Sequence, residues 1–593
     1  MKTLNRISKT RAFAHVRILT AVLLVLAAAA LLFLAVSQPA VAQRTARPQP
    51  LTPKFSTAVA FDVSPALRSL PRPARPLVFD PNKIVEVRPE RGPEGPEAHE
   101  VKGHTADGVL QPFSPALTIP TPLVTFEGLS NQDNFNLYGG RVNPPDPDGE
   151  VGPNHYVELI NLVLAVFDKQ GNRLTGPTKI GDLWIGFAIP DCTDPSGDPV
   201  VLYDQLANRW ILSQFTTSGL DDPTKPFWNC VAISTTGDPT GTYYRYAFET
   251  TFNGVFYFPD YPKYGVWTNS YLLTSRDFGP TTEYGISVYA LEKNKMISGN
   301  PNARAVHFFL DSTVVPLYLI GDGLLPADID GTHRPIDDAP APIVGTQDDN
   351  ASYGATFDAL NIWELSVKWQ ANPIASINLK TQLPVASFDS IFPCSPDSRD
   401  CLPQPGVPSR TRWLDILSYR QRPTFRLAYR NFGTYESLVT NQSVEALPGV
   451  AGARWYEIRR TGSTYSVYEQ GTYAPNDGVH RWMGSIAQDK NGNMALGYSV
   501  VNGTNVYPGI RYTGRLAGGP LGQMTLGEGI IIDGSGVQTT MNSRWGDYTD
   551  MTVDPTDDCT FWYVNEYYTL AGQQSSAAGW QTRIASFRLP GCQ

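Results

Sequence analysis

The sequence predicts an all-β fold, a β-propeller of about seven blades (six and eight are the alternatives) preceded by a disordered Pro-rich segment. Three observations favour this fold. From Leu123 onward, short apolar or aromatic runs alternate with turns rich in Gly, Asp, Asn and Pro, as in all-β proteins. Almost no stretch has the apolar period of a helix. Segments with the same layout, a strand, a polar turn and a second strand, recur along the chain.

Residues 1–42 have the organisation of a secretory signal peptide. Basic residues without an acidic one precede the apolar run ILTAVLLVLAAAALLFLAV, and Ala40 and Ala42 form an A-x-A cleavage site. The apolar run is nearly long enough to span a bilayer, so an uncleaved membrane anchor is the alternative. In both cases we expect a secreted or cell-surface protein, with no membrane contact beyond this segment.

Residues 43–120 are rich in Pro and charge, as in SLPRPARPLVFDP, and have no sustained apolar period. A segment of this composition buries too little apolar surface to fold, so we predict a disordered tether. A pro-segment is the alternative. Residues 121–593 then form the propeller domain.

Seven segments carry the repeated layout of two strands and a turn. They begin at His155, Pro199, Tyr264, Pro342, Thr424, Gly484 and Thr549. Their intervals of roughly 45 to 90 residues exceed the spacing of compact blades, which insertions between blades would explain. Two separate β-domains are the alternative architecture. The stretch LVTFEG, Leu123–Gly128, is the candidate for an outermost strand that closes the ring on the last blade.

Charge and cysteine content fit an exported protein. The formal charge of −9 becomes about −14 once the five basic residues of the signal are removed, which argues against a nucleic-acid partner. The six cysteines are not spaced like paired zinc ligands, so we interpret them as structural disulfides. The sequential pairing closes the shortest loops, and we favour it: Cys192–Cys230, Cys394–Cys401 and Cys559–Cys592.

Aspartates recur where the chain leads into the repeated strands. The positions are Asp146, Asp148, Asp198, Asp260 and Asp547, in the contexts DPDG, GDP, PDY and GDY. Equivalent positions of successive blades surround one end of a propeller channel, so these aspartates are the candidate ligand-binding residues. Carboxylates brought together suit Ca²⁺, with Asp148, Asp198, Asp260 and Asp547 as candidate metal ligands. The alternative is that each Asp caps its own turn.

No catalytic residue is assigned from the sequence. It contains no nucleophile elbow, no H-E-x-x-H and no P-loop. A glycosidase needs two carboxylates, and the candidates in aromatic surroundings are Glu457, Glu469, Asp547 and Glu566. Arginines between Arg410 and Arg430 suit either recognition of a sugar acid or salt bridges between blades.

Longer strings carry a resemblance. PPDPDGEVGPNHYVELIN, QGTYAPNDGVHRWMGSIAQDKNGNMALGYSV and RWGDYTDMTVDPTDDCTFWYVNEYY resemble a family of large exported bacterial proteins with a β-propeller-like repeat. The resemblance runs from Leu123 to Cys592 and implies that fold, but it transfers no catalytic residue. More remotely, the pattern of short strands and polar turns is similar to that of sialidase propellers with Asp boxes, although the S-x-D-x-G-x-T-W box is missing.

Together these observations favour an extracellular recognition propeller, expected to be monomeric and stabilised by Ca²⁺, that binds a glycan or a protein at its Asp-lined end. A carbohydrate-active hydrolase or lyase on the same face is the alternative. A structural cell-surface protein is the third hypothesis.

Overall fold

The computed structural model describes residues 51–70, 84–86, 105–194, 197–279, 285–349, 353–390, 400–416 and 421–593. The predicted signal peptide, residues 1–42, lies outside the described residues. Within the described part no helix is long and apolar enough to cross a membrane. Residues 50–593 belong to one compact unit, whereas the alternative architecture called for two separate β-domains.

Strands dominate the described part of the chain, as the sequence predicts. The strands up to residue 204 are β1 Lys54–Thr57, β2 Ala60–Val63, β3 Ile84–Glu86, β4 Leu110–Gln111, β5 Val124–Ser130, β6 Arg141–Asn143, β7 Asp148–Val151, β8 His155–Ile160, β9 Val163–Asp168, β10 Arg173–Lys179 and β11 Val200–Asp204. Those up to residue 402 are β12 Arg209–Phe215, β13 Trp228–Ser234, β14 Tyr243–Glu249, β15 Phe258–Val266, β16 Ser270–Phe278, β17 Gly285–Glu292, β18 Arg304–Leu310, β19 Leu325–Asp330, β20 Ala341–Gln347, β21 Ala359–Lys368, β22 Ile374–Pro384 and β23 Asp400–Leu402. The remainder are β24 Leu414–Asp415, β25 Thr424–Asn431, β26 Glu436–Leu447, β27 Val450–Thr461, β28 Thr464–Tyr473, β29 His480–Gln488, β30 Met494–Val501, β31 Gly509–Arg515, β32 Gly529–Ile532, β33 Asp550–Val553, β34 Thr560–Tyr568 and β35 Trp580–Arg588.

Helices in the described residues are short. The α-helices are Asn131–Tyr138, Ser218–Asp221, Lys293–Ile297 and Leu570–Ser575. The 3-10 helices are Leu67–Ser69, Ile180–Trp184, Pro190–Thr193, Leu317–Leu319 and Arg410–Arg412.

Consecutive strands pair in antiparallel groups, which gives the fold its propeller-like organisation. The groups are β7–β10, β11–β14, β15–β18, β19–β22, β25–β28, β29–β32 and β33–β35. The first strands of the groups (β7, β11, β15, β19, β25, β29 and β33) contact one another in that order, and β33 contacts β7. The contacts between first strands therefore make a closed circuit.

The segment predicted as a disordered tether contributes strands to the outer edges of these groups. β2 pairs with β14 and β1 pairs with β18, both antiparallel, while β4 adds to β28 in parallel. The structure thus differs from the prediction at residues 51–70 and at β4, because unpaired edge strands offer backbone hydrogen bonds to an extended segment whatever its composition. β5 pairs with β35, which confirms the prediction that LVTFEG supplies the outermost strand of the last group.

Apolar side chains fill the spaces between neighbouring groups. The first strands are buried along almost their whole length, since each sheet is covered on both faces. Trp455, Trp482 and Trp545 are fully buried and Trp562 nearly so, which places these aromatic side chains in the core rather than on a sugar-binding surface.

Two of the three predicted disulfides are present, Cys192–Cys230 and Cys559–Cys592. Cys401 is also disulfide-bonded. Its predicted partner, Cys394, lies outside the described residues. Disulfides are typical of extracytoplasmic proteins, in agreement with the expected location.

Candidate functional site

A residue with positive φ recurs just before each first strand or, in β15 and β29, at an irregularity of pairing in the first half of the strand. We call these positions the lead-in turns. They are Asp146 (φ 46°), Asp198 (φ 42°), Tyr261 (φ 53°), Gly321 (φ 53°), Gln421 (φ 50°), Met483 (φ 48°) and Gly546 (φ 154°). Positive φ is rare outside Gly, Asn and Asp, which explains the Asp and Gly-Asp signals in the sequence.

Three of the predicted aspartates meet at these turns. The Asp146 carboxylate accepts hydrogen bonds from the Asp547 N–H and from Asn161 Nδ2, both at 2.6 Å. The Asp198 N–H donates to Asn161 Oδ1 at 2.9 Å, and Asp198 Oδ2 accepts from the Tyr261 N–H at 3.2 Å. The turns of the first, second, third and last groups are therefore tied together.

The other two predicted aspartates lie differently. Asp148 is inside β7, where its Oδ2 accepts from the Val201 N–H of β11 at 2.8 Å. Asp260 is partly exposed, and its Oδ1 accepts from the next amide, Tyr261 N–H, at 2.7 Å. That bond is the turn cap foreseen as the alternative for these aspartates.

Cations join the cluster that the predicted aspartates form. Asp547 is paired with Arg422 at 3.1 Å and with Arg544 at 2.5 Å. Lys263 Nζ lies between two aromatic rings, 3.3 Å from the centroid of Tyr261 and 3.1 Å from that of Tyr548.

Two members of the cluster, Asp322 and Lys263, are not predicted from the sequence. Gly321-Asp322 repeats the Gly-Asp pair of Gly197-Asp198 and Gly546-Asp547, so a signal for Asp322 is present. The fourth predicted segment misses it because that segment begins at Pro342, which opens not the first strand of its group but the second, β20. Asp322 Oδ1 accepts from Tyr353 Oη at 2.5 Å and lies 3.2 Å from Arg276.

Burial perturbs the protonation of this cluster. Burial is the main cause that raises the pKa of Asp146 to about 7, and the charges of Asp547 and Asp198 add to it. Burial is the main cause that raises the pKa of Glu566 well above its usual value, and the negative charge of Asp146 adds to it. Burial is the main cause that lowers the pKa of Lys263 well below its ordinary range, and the positive charge of Arg422 adds to it. Perturbed groups of this kind are typical of functional sites.

Several buried polar atoms of the cluster have no hydrogen-bond partner among the described residues. They are Lys263 Nζ, Tyr261 Oη, Asp322 Oδ2, Arg422 Nε and both carboxyl oxygens of Glu566. A buried polar group without a partner costs about 1–3 kcal/mol. We call these atoms the unpartnered set.

A second charged cluster lies along the first strands. Arg426 donates to Asp328 at 2.5 Å and to Asp330 at 2.7 and 2.8 Å. Burial raises the pKa of Asp148 to about 7. Burial is also the main cause that raises the pKa of Asp550 well above its usual value, and the charge of Asp148 adds to it. Arg426 also lies 3.6 Å from Asp550, so the same arginine balances carboxylates on β19 and on β33.

The remaining candidates from the sequence are tied up in ion pairs. Glu457 is bound to Arg459 and Glu469 to Arg515, each at 2.6 Å. Arg430 is paired with Asp558 at 2.7 Å. For Arg422, Arg426 and Arg430, salt bridging is therefore the observed arrangement.

One group of carboxylates can hold a metal ion. Asp348, Asp349 and Asp358 each bring an oxygen within 4.8 Å of the others, and they are the sole described group of three that does so. The predicted ligands Asp148, Asp198, Asp260 and Asp547 do not form such a group. Asp358 accepts from the Asp349 and Phe388 amides at 2.8 and 2.9 Å.

The solved structures that align with this chain include several glycoside hydrolases. An α-L-arabinofuranosidase from Fusarium graminearum has 10% identity and a TM-score of 0.31 over 66% of this chain and 92% of its own. An α-L-arabinanase from Penicillium chrysogenum has 12% identity and a TM-score of 0.28 over 67% and 94%. Similarity this low carries no argument about activity. No protein-family model and no curated protein matches the chain.

Proposed function

We propose that the chain is an extracytoplasmic β-propeller of seven blades that binds a glycan at its lead-in turns without cleaving it. The antiparallel groups, the closed circuit of first strands and the closure of the last group by β5 support the blade count. The two disulfides support the location.

The unpartnered set carries the binding proposal. Its atoms come from the third, fourth, fifth and last groups. Lys263 and Arg422 both lie against the Tyr261 ring, at 3.3 and 3.7 Å, and the charges of Asp146 and Asp547 act on the pKa of Lys263. Buried polar atoms are nearly always satisfied in folded proteins. A ligand that inserts polar atoms here would gain hydrogen bonds the protein alone does not make.

The chemistry of the set favours a hydroxyl-rich ligand. Lys263 and Arg422 present donors, whereas Asp322 presents an acceptor and Glu566, when protonated, presents both. Sugar hydroxyls donate and accept in the same way. A phosphate-rich polymer would be repelled by the surrounding aspartates.

The test incubates the disulfide-bonded full chain with a panel of polysaccharides, with and without Ca²⁺, and reads retention together with newly formed reducing ends. We expect retention without release. E566L and D322N should weaken retention about tenfold or more, since the first removes the polar atoms of Glu566 and the second replaces an acceptor of Asp322 by a donor. The matched control D337N alters an exposed carboxylate, 77% accessible, on the β19–β20 connection at the other end of the same sheet.

Retention that is equal in E566L, D322N and D337N, with folding verified by circular dichroism, would refute the assignment of the ligand to the lead-in turns. Retention that requires Ca²⁺ should disappear in D349N, because we propose the carboxylates of Asp348, Asp349 and Asp358 as the calcium site.

Glycoside hydrolysis is the second candidate, and one observation favours it. An added Cβ at Gly546 would lie 3.2 Å from both Asp146 Oδ1 and Glu566 Oε1, so these two carboxyls flank the same glycine. Both have raised pKa values, as a general acid requires. Release of reducing ends that E566Q abolishes would establish hydrolysis in place of simple binding.

A further inference from the structure

A cavity of about 370 Å³ opens at the end of the sheets opposite the lead-in turns. Its walls come from the β19–β20 connection, from the β25–β26 and β27–β28 hairpins, and from β21 and β22. Because β19 and β25 each begin at a lead-in turn, the connections that follow them lie at the far end. Its volume is at the lower end of the range of small-ligand sites, about 300–1,000 Å³.

The charged floor of this cavity is held rigidly by a buried arginine. Arg460 is paired with both oxygens of Glu436, and its other terminal nitrogen donates to Tyr465 Oη at 3.1 Å. Tyr465 Oη in turn donates to Glu364 Oε1 at 3.0 Å. Glu436 also accepts from Tyr429. Glu436 and Arg460 are thus committed to protein partners.

One unlike-charge pair in the cavity is open to a ligand. Lys380 Nζ and Glu364 Oε2 are 3.4 Å apart, and the Lys380 side chain is 34% exposed. No hydrogen bond within the described residues joins the two groups, so the ammonium has donors and the carboxylate a lone pair for a third molecule.

The charge balance and the rim select the class of ligand. The lining has two carboxylates, Glu364 and Glu436, and two cations. The cations are Lys380 and Arg460, so the net charge of the lining is zero and attracts neither an anion nor a cation. Ile336, which is 82% exposed, lines the cavity with Ala339 and Pro340 and offers an apolar surface.

We propose that this cavity binds one neutral sugar unit through a vicinal diol, with one hydroxyl oxygen accepting from Lys380 and its neighbour donating to Glu364. Adjacent hydroxyls on a pyranose ring can bridge charges at this separation with ordinary O–H···O and N–H···O geometry. The C–H face of the ring packs on Ile336. The site is separate from the lead-in turns and does not depend on what they bind.

Saturation-transfer NMR with methyl galactoside and methyl mannoside tests the proposal on the full chain. Tetrahydropyranyl methanol, which has the ring but no diol, is the negative probe. K380M and E364Q should each weaken binding about tenfold or more, since each removes one charged partner of the diol. K368M is the matched control, because Lys368 is an exposed lysine on β21 that does not line the cavity.

D547N, which alters the lead-in turns, should leave this binding unchanged, so failure here and failure of the proposed function can be told apart. Equal binding in K380M and K368M, equal binding of tetrahydropyranyl methanol, or no saturation transfer with the unaltered chain would each overturn the proposal. Because Lys380 is partly exposed, K380M folds even if E364Q does not.

Discussion

Glu158 provides the sharpest test of the buried acidic chemistry. It lies in β8, fully buried, and faces the seam where β5 closes on β35. The Leu129 N–H donates to Glu158 Oε2 at 2.8 Å, and the Thr582 hydroxyl oxygen lies 2.5 Å from Glu158 Oε1. Thr582 Oγ1 is also 2.7 Å from the Leu129 carbonyl oxygen.

Burial sets the protonation of Glu158. It raises the pKa of Glu158 from 4.5 to about 8, against the hydrogen bonds from Thr582 and Leu129, which lower it. A neutral carboxyl can donate to Thr582 while the one Thr582 proton goes to the Leu129 carbonyl. A glutamine in this position can make the same bonds, with its amide donating to Thr582.

The size of the effect follows from linkage. The difference between 8 and 4.5 is 3.5, and at 1.36 kcal/mol for each pKa unit it corresponds to about 5 kcal/mol. A raised carboxyl pKa gives stability that is complete below 4.5 and is lost as the pH rises through about 8. Between about pH 5 and about pH 9 the group should therefore remove about 4 kcal/mol of folding free energy.

Urea unfolding of the unaltered chain and of E158Q at these two pH values measures the effect. The loss of stability on raising the pH should be smaller in E158Q by about 4 kcal/mol. E127Q is the matched control, since Glu127 lies on β5 with its side chain 54% exposed, and its pH dependence should follow the unaltered chain. Identical pH dependence in E158Q and E127Q would refute the neutral carboxyl.

Three further predictions concern the lead-in turns and the closure of the circuit. G546A should lose about 1–3 kcal/mol in urea unfolding, because φ of 154° is unfavourable with a side chain and the new methyl would approach Asp146; an unchanged midpoint would contradict this. K169A should lower the melting temperature, since Lys169 is bonded to Asp554 at 2.8 Å between the first and last groups, and the loss should shrink at high salt. Replacing Cys559 by Ser opens a loop of 33 residues and should cost about 3–4 kcal/mol; equal stability under reducing and oxidising conditions would show the bond to be dispensable.

The repeated layout predicted where the strands occur, but not which strand of its group each one forms. All seven segments contain two paired antiparallel strands. Five segments hold the first and second strands of their groups, namely those at Pro199, Tyr264, Thr424, Gly484 and Thr549. The segments at His155 and Pro342 hold the second and third strands. Strands of a sheet covered on both faces have similar apolar sequences, so their order cannot be deduced from composition.

Contacts between distant residues escaped the sequence reasoning for a different reason. β1, β2 and β4 are short stretches near prolines with no repeated layout, and they become strands by pairing with the edges of β18, β14 and β28. Likewise, the sequence showed aspartates in recurring turns, but the cations paired with Asp547, Arg422 and Arg544, come from positions with no shared motif.

The two interpretations of the aspartates, turn caps and ligand groups, apply to different side chains. Both oxygens of Asp146 accept from protein donors, and Asn161 cannot reverse its amide because its oxygen accepts from Asp198. D146N would therefore set a donor against a donor and cost about 1–3 kcal/mol, with any loss of glycan binding following from the damaged turn. Glu566 has no such partners among the described residues and already favours the neutral form. E566L should leave stability nearly unchanged and still weaken binding, because it removes polar atoms that bond to no described residue. Binding that E566L leaves intact and that D146N abolishes without loss of stability would instead assign the ligand to Asp146.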